Sequence, residues 1–162
     1  MPPSTSSHGG VDPSAPGTII RGALAVESVV TVGVGAYFMF FPRHYLIHTM
    51  GATAAQATKT AIQCAQQYGA ANVLVGATVG LFTSNSRVSI EARPILYRVV
   101  LVFELLYAPF LVWQGLTTQD GMPRSALFAA AAQFVPFVAW RVFTLGWKPE
   151  WFGRYLEGKK VE

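Results

Sequence analysis

The sequence predicts an all-α protein: a four-helix transmembrane bundle with a disordered N-terminal tail. Three observations carry this reading. Of 162 residues, 52% are hydrophobic and 12% are charged, and the mean hydropathy is +0.38. Globular domains carry about 25% charged residues, so a soluble single domain of this length would struggle to hide its apolar surface. Four apolar runs follow one another along the chain, each near the roughly 20 residues that span a bilayer. Ahead of them, "MPPSTSSHGGVDPSAPG" is rich in Pro, Ser and Gly and has neither the basic start nor the apolar centre of a signal peptide. Residues 1–17 are therefore expected as a disordered tail, 18–146 as the membrane domain and 147–162 as an interfacial, cytoplasmic C-terminal tail.

The first span, 18–41, reads "TIIRGALAVESVVTVGVGAYFMFF" and stops at Pro42, because the residue before a proline is pushed away from helix. The second, 68–83, is short and rich in small residues. Gln56, Lys59, Gln63 and Gln66 recur at helical spacing ahead of it, so this helix is expected to begin near Thr53 and project beyond the bilayer. The third, 95–116, is opened by Pro94, a residue suited to a first helical turn. The fourth covers 125–145. Pro109 and Pro136 fall inside the third and fourth helices, where kinks are tolerated if neighbours satisfy the freed carbonyls. Gly22, Gly33 and Gly35 in the first span, and Gly69, Gly76 and Gly80 in the second, would let backbones approach closely.

Four spans put both termini on one side. That side collects Arg21, Arg87, Arg93, Arg98, Arg141, Lys148, Arg154, Lys159 and Lys160, against Arg43, Lys59 and Arg124 opposite. The positive-inside bias places both termini in the cytoplasm. Trp147, Trp151, Phe152 and Tyr155 then read as an interfacial aromatic belt. The net charge of +4 fits this bias better than nucleic-acid binding, since no basic patch is interleaved with aromatics.

The charges inside the spans are the unusual feature. "RGALAVE" (21–27) and "RVVLVFE" (98–104) each place Arg and Glu six apart. That spacing is about 240° of helix, unsuited to a same-helix pair. Glu27 and Glu104 fall at similar depth in the first and third helices, with Arg21, Arg98 and Arg141 in a shallower layer. Interhelical pairing is expected: Glu27 with Arg98 or Arg141, and Glu104 with Arg21 or Arg141. An ionised carboxylate in lipid costs a few kcal/mol, so each glutamate must face the interior, be paired or be protonated. Glu27 and Glu104 are the candidate catalytic residues. Arg21, Arg98, Arg141, Asn72 and Gln133 are the candidate binding residues, the last two also suiting interhelical hydrogen bonds. His44 and His48 are four apart, but no third ligand accompanies them, and a polar interfacial pair is the reading. No metal site and no cofactor is expected. A lone Cys64 excludes an intrachain disulfide and a multi-thiolate zinc site. No phosphate loop, nucleophile elbow or Cys-x-x-Cys pair occurs.

The segment "YFMFFP" closing the first helix, "YGAANVLVGATVGLF", and an Arg-Pro opening of the third resemble the DoxX-like small four-helix membrane proteins over about residues 22–116. That resemblance implies a four-span fold and little about substrate. Size, span type and intramembrane acids are also similar to those of small membrane enzymes of fungal natural-product pathways. Three function classes remain open. One is a cofactor-independent isomerase or cyclase acting on a terpenoid, polyketide or sterol-like molecule of a natural-product pathway, with a glutamate donating the proton. Another is a noncatalytic accessory or interaction protein whose charges form a structural ion-pair layer. A small carrier or channel subunit is a third. The expected partners are the lipid bilayer, a lipophilic small molecule and a homo- or hetero-oligomeric neighbour, with no nucleic acid.

Overall fold

The computed structural model describes residues 10–118 and 121–156. Helix α1 is Thr18–Phe40, followed by the three-residue α2, Pro42–His44, and a π-helical turn, Tyr45–Thr49. Then come α3 (Lys59–Leu81), α4 (Arg87–Thr117), α5 (Arg124–Ala132) and α6 (Phe134–Trp147). A 3-10 turn, Pro149–Phe152, leads to strand β2 (Tyr155–Leu156), which pairs antiparallel with strand β1 (Gly10–Val11). Apart from that short ladder the described residues are all-α.

Local chemistry sets the helix ends. Gly17, with φ of 68°, opens α1 in the left-handed region that glycine tolerates. Thr58 and Ser86 cap α3 and α4, their hydroxyls accepting from the amides of Ala61 and Ser89 at 3.2 Å and 3.1 Å. The third helix thus starts eight residues earlier than expected, because Ser86 supplies a cap and Pro94 is carried inside the helix. The second starts at Lys59, not near Thr53. The 53–56 stretch closes a turn on itself through Thr53 and Gln56 instead. The fourth apolar run is interrupted at Gln133. Pro136 has no amide for the Ala132 carbonyl, and its ring crowds that turn.

The helices form two antiparallel hairpins. In the first, α1 packs on α3; in the second, α4 packs on α5 and α6. Glycines govern the first contact. A Cβ on Gly35 would lie 2.7 Å from the Gly69 carbonyl oxygen, and one on Gly76 would lie 2.8 Å from the Val32 nitrogen. Ser28 adds a hydrogen bond from its hydroxyl to the Gly76 carbonyl, 2.7 Å. Gly22 and Gly33 play no such part, since a Cβ on either would meet nothing within 4 Å.

The start of α1, the segment after α6 and the α3–α4 loop share one end of the described residues. There Ile20, Leu24, Val79, Tyr97 and Phe152 form a core cluster that ties the hairpins together. Phe152 is buried with its ring edge-on to Tyr97, so it belongs to this core and not to an aromatic belt, while Trp147 is exposed. Residues 10–17 are likewise folded onto the C-terminal segment, with the Asp12 amide donating to the Arg154 carbonyl. The remainder of the expected tail, 1–9, and residues 157–162 with Lys159 and Lys160, lie outside the described residues.

Three helical segments, Thr18–Phe40, Arg87–Thr117 and Arg124–Trp147, are long and apolar enough to cross a membrane. Helix α3 matches them in length, but Lys59, Gln63, Gln66 and Gln67 lower the apolarity of its first half.

Candidate functional site

An ion triad lies where the two hairpins meet. Arg141 of α6 donates from Nε to both carboxylate oxygens of Glu104 on α4, each at 3.0 Å. Its Nη2 donates to Glu27 Oε1 on α1 at 2.5 Å. The side chains of Arg141 and Glu104 are 2% and 4% exposed, and that of Glu27 is 20% exposed. Tyr97, about two turns before Glu104, faces the guanidinium with its ring centroid 4.9 Å from the arginine carbon. Trp140 donates from its indole nitrogen to the Tyr97 hydroxyl at 3.3 Å.

The direction in which helical side chains lean explains this convergence. Each leans toward the N-terminus of its own helix. Helices α1 and α4 run one way and α6 the other, so Glu27 and Glu104 point toward Arg141 as it points toward them. The expected pairing of both glutamates with Arg141 is what forms. The expected separation into an outer arginine layer and a deeper glutamate layer does not, because Arg141 reaches down between the carboxylates. Arg21 leans the opposite way and donates from Nε to the Thr83 carbonyl, 2.8 Å, in the α3–α4 loop. Arg98 is exposed, six residues round the helix from buried Glu104. Asn72 bonds its amide back to the Tyr68 carbonyl, 2.9 Å, within α3. Gln133 is exposed at the α5–α6 break. The structure therefore gathers Glu27, Glu104 and Arg141, and leaves Arg21, Arg98, Asn72 and Gln133 elsewhere.

Beside the triad, a cleft of about 470 Å³ separates α1 from α6. Its walls are Gly22, Ala23, Val26, Val30 and Thr31 on one side and Pro136, Phe137 and Trp140 on the other. Glu27 and Arg141 are its charged lining residues. The space exists because Gly22 and Ala23 present almost no side chain and Pro136 disturbs the start of α6. Its volume falls within the roughly 300–1,000 Å³ of small-molecule sites, which are likewise mostly apolar with a few placed polar groups.

Three contributors escaped the sequence reading. Tyr97 and Trp140 complete the triad's surroundings. Arg93, 0% exposed, donates to the carbonyls of Phe82 (3.0 Å), Ser84 (2.7 Å) and Phe152 (2.8 Å) and to Asn85 Oδ1 (3.0 Å). It clamps the α3–α4 loop to the C-terminal segment. A signal was present: Arg93, Tyr97, Glu104, Leu111 and Gly115 follow at spacings of four and seven, one helical face. His44 and His48 are both exposed with ring centroids 4.4 Å apart, and Tyr37 Oη lies 2.6 Å from His44 Nδ1. Among the described residues no group of three or more His, Cys, Asp or Glu is placed to hold a metal.

No protein-family model, no curated protein and no solved structure matches the chain.

Proposed function

We propose that this chain is a small multi-pass membrane protein that binds a lipophilic molecule in the α1–α6 cleft and performs acid–base chemistry on it at Glu27. Membrane insertion is supported by the three long apolar helices and by the large apolar side chains that α1, α4 and α6 leave exposed, among them Val26, Val29, Leu105, Leu106 and Val135. Helix α3 would supply the fourth span of a DoxX-like bundle, its glycines holding it against α1. The shared end of both termini would face the cytoplasm by the excess of lysine and arginine there.

The observation that carries the functional reading is the apolar cleft lined by one carboxylate and one guanidinium. Isomerisation or cyclisation of a terpenoid, polyketide or sterol-like compound needs a group that moves a proton and a fixed charge that steadies the intermediate. Glu27, partly exposed and lining the cleft, suits the first role. Arg141 suits the second, with Glu104 holding it in place. The test is turnover of such lipophilic compounds by protein reconstituted in lipid. Glu27→Gln should abolish product formation in a folded protein. Full turnover by both Glu27→Gln and Glu104→Gln, with only thermal stability altered, overturns the catalytic reading.

A second reading is favoured by a specific observation. Glu104 and Arg141 are buried and bonded to each other through both carboxylate oxygens, the arrangement of a noncatalytic lock between hairpins. On that reading the chain is an accessory or interaction protein, and the same Glu27→Gln experiment separates the two.

A further inference from the structure

The cleft's two charged residues are only partly used by the protein itself. Arg141 spends Nε on Glu104 and Nη2 on Glu27 Oε1, which leaves Nη1 and Glu27 Oε2 without a hydrogen bond to the described residues. Among the described residues no buried side-chain nitrogen or oxygen lacks a partner, so both atoms keep some accessible surface, little of it on the 2%-exposed Arg141, and both residues line the cleft. The two charged residues of an apolar cleft thus keep one unused donor and one unused acceptor.

We infer that the cleft takes a lipophilic carbonyl compound, whose oxygen Arg141 Nη1 holds while Glu27 Oε2 moves a proton at the adjacent carbon. This rests on the cleft being the ligand site, and it names the substrate class and the bond that reacts. Other head groups fit the pair less well. A carboxylate adds a third anion to a triad whose formal charges already sum to −1. An amine leaves Nη1 without an acceptor. An alcohol satisfies both atoms and binds, but it presents no acidic C–H.

The step balances without an oxidant or a co-reactant. The Glu27 carboxylate takes the proton from the carbon next to the carbonyl. The C–H electron pair becomes the C=C bond of an enolate, and the carbonyl π pair moves to the oxygen, where the Nη1 hydrogen bond stabilises it. Glu27 then returns the proton. Delivery to the same carbon gives exchange; delivery to the far end of a conjugated enolate gives a 1,3 shift of the double bond. Arg141 is suited to this because Glu104, Glu27 and the Tyr97 ring fix the guanidinium before substrate arrives, so little reorganisation accompanies the charge that develops. Glu104 is accordingly a positioning residue, since it touches Arg141 and does not line the cleft.

Geranylacetone, a terpenoid methyl ketone, serves as the probe. The full chain in lipid nanodiscs is incubated with it in D2O, deuterium at the carbons beside the carbonyl is followed by mass spectrometry, and binding is followed by tryptophan fluorescence. The expected result is exchange about 100-fold above protein-free nanodiscs, abolished by Glu27→Gln with binding retained, and absent for the corresponding alcohol. If the hydrocarbon of the same chain binds as well as the ketone and no exchange occurs, the carbonyl inference is overturned while the lipophilic cleft stands. If neither compound changes the fluorescence, the cleft reading falls as well. Exchange by Glu27→Gln at the wild-type rate also overturns the inference.

Discussion

Replacing Arg141 by Met removes the one cation held between two carboxylates. The change keeps an unbranched side chain of similar reach, so packing is disturbed little. The charge-assisted hydrogen bonds to both carboxylates disappear: the one that Nε shares between the two oxygens of Glu104 and the one from Nη2 to Glu27. Glu104, 4% exposed, has no water to replace them. Breaking a buried pair by removing one partner costs about 3–5 kcal/mol. For a chain of this size that is a fall in Tm of roughly 6–20 °C. The double variant Arg141→Met, Glu104→Leu leaves no buried unpaired charge, because Glu27 is partly exposed and faces the cleft. It should recover to within about 1–2 kcal/mol of wild type. Thermal unfolding of the detergent-solubilised protein measures both. A single variant that moves Tm by less than about 2 °C, or a double variant as unstable as the single, would show that the buried ion triad does not hold the hairpins together.

Three further outcomes follow from other parts of the molecule. Gly69→Val places a side chain where even a Cβ would lie 2.6 Å from the Gly35 carbonyl oxygen, so overpacking should cost about 1–3 kcal/mol; Gly33→Ala, which meets nothing, should stay within about 0.5 kcal/mol of wild type, and equal losses in unfolding experiments would contradict the packing described. Gly22→Leu fills the cleft without touching the triad, so fluorescence titration should show lost binding of lipophilic ligands at unchanged or higher Tm. Asp12 accepts from both the amide and the hydroxyl of Ser14, at 2.9 Å and 2.6 Å, and these bonds hold its carboxyl below the ordinary 3.8 of an aspartate. Because the folded value is depressed, this contribution is complete above the ordinary value and is lost as pH falls through the lowered one; the protection of the Ser14 amide, taken relative to its intrinsic exchange rate at each pH, should fall on acidification in that window, and protection that weakens on raising the pH would refute it.

Much of the fold was legible because its causes are local. Apolar runs and Pro42 place α1, and the polar stripe of Lys59, Gln63 and Gln66 is exposed on α3 as its spacing implies. Errors arose where two local signals compete. Pro94 suits a first turn, but Ser86 caps the helix earlier, and a proline seven residues inside is tolerated. Gln56 continues the stripe in sequence, yet it lies in a turn and donates to the Gly121 carbonyl, 3.2 Å. The site was legible as a set of residues at a common depth, and less so as a geometry. Glu27, Glu104 and Arg141 stand out as charges in apolar runs. Which arginine they choose depends on helix direction and side-chain lean, and both are set by the antiparallel packing. Arg93 counts as a flanking charge in sequence, and although its spacing puts it on the Tyr97 and Glu104 face, three of its four acceptors are main-chain carbonyls, which that spacing does not name.

The most direct test of the account is where a lipophilic ketone sits. Benzophenone is such a ketone and cross-links to nearby C–H bonds under ultraviolet light. Irradiated with the full chain in nanodiscs, it should attach chiefly within residues 22–31 and 136–141, and geranylacetone should compete it away. Attachment scattered over the outward faces, at Leu105, Leu106 or Val135, with no competition, would contradict a ligand site at Glu27 and Arg141.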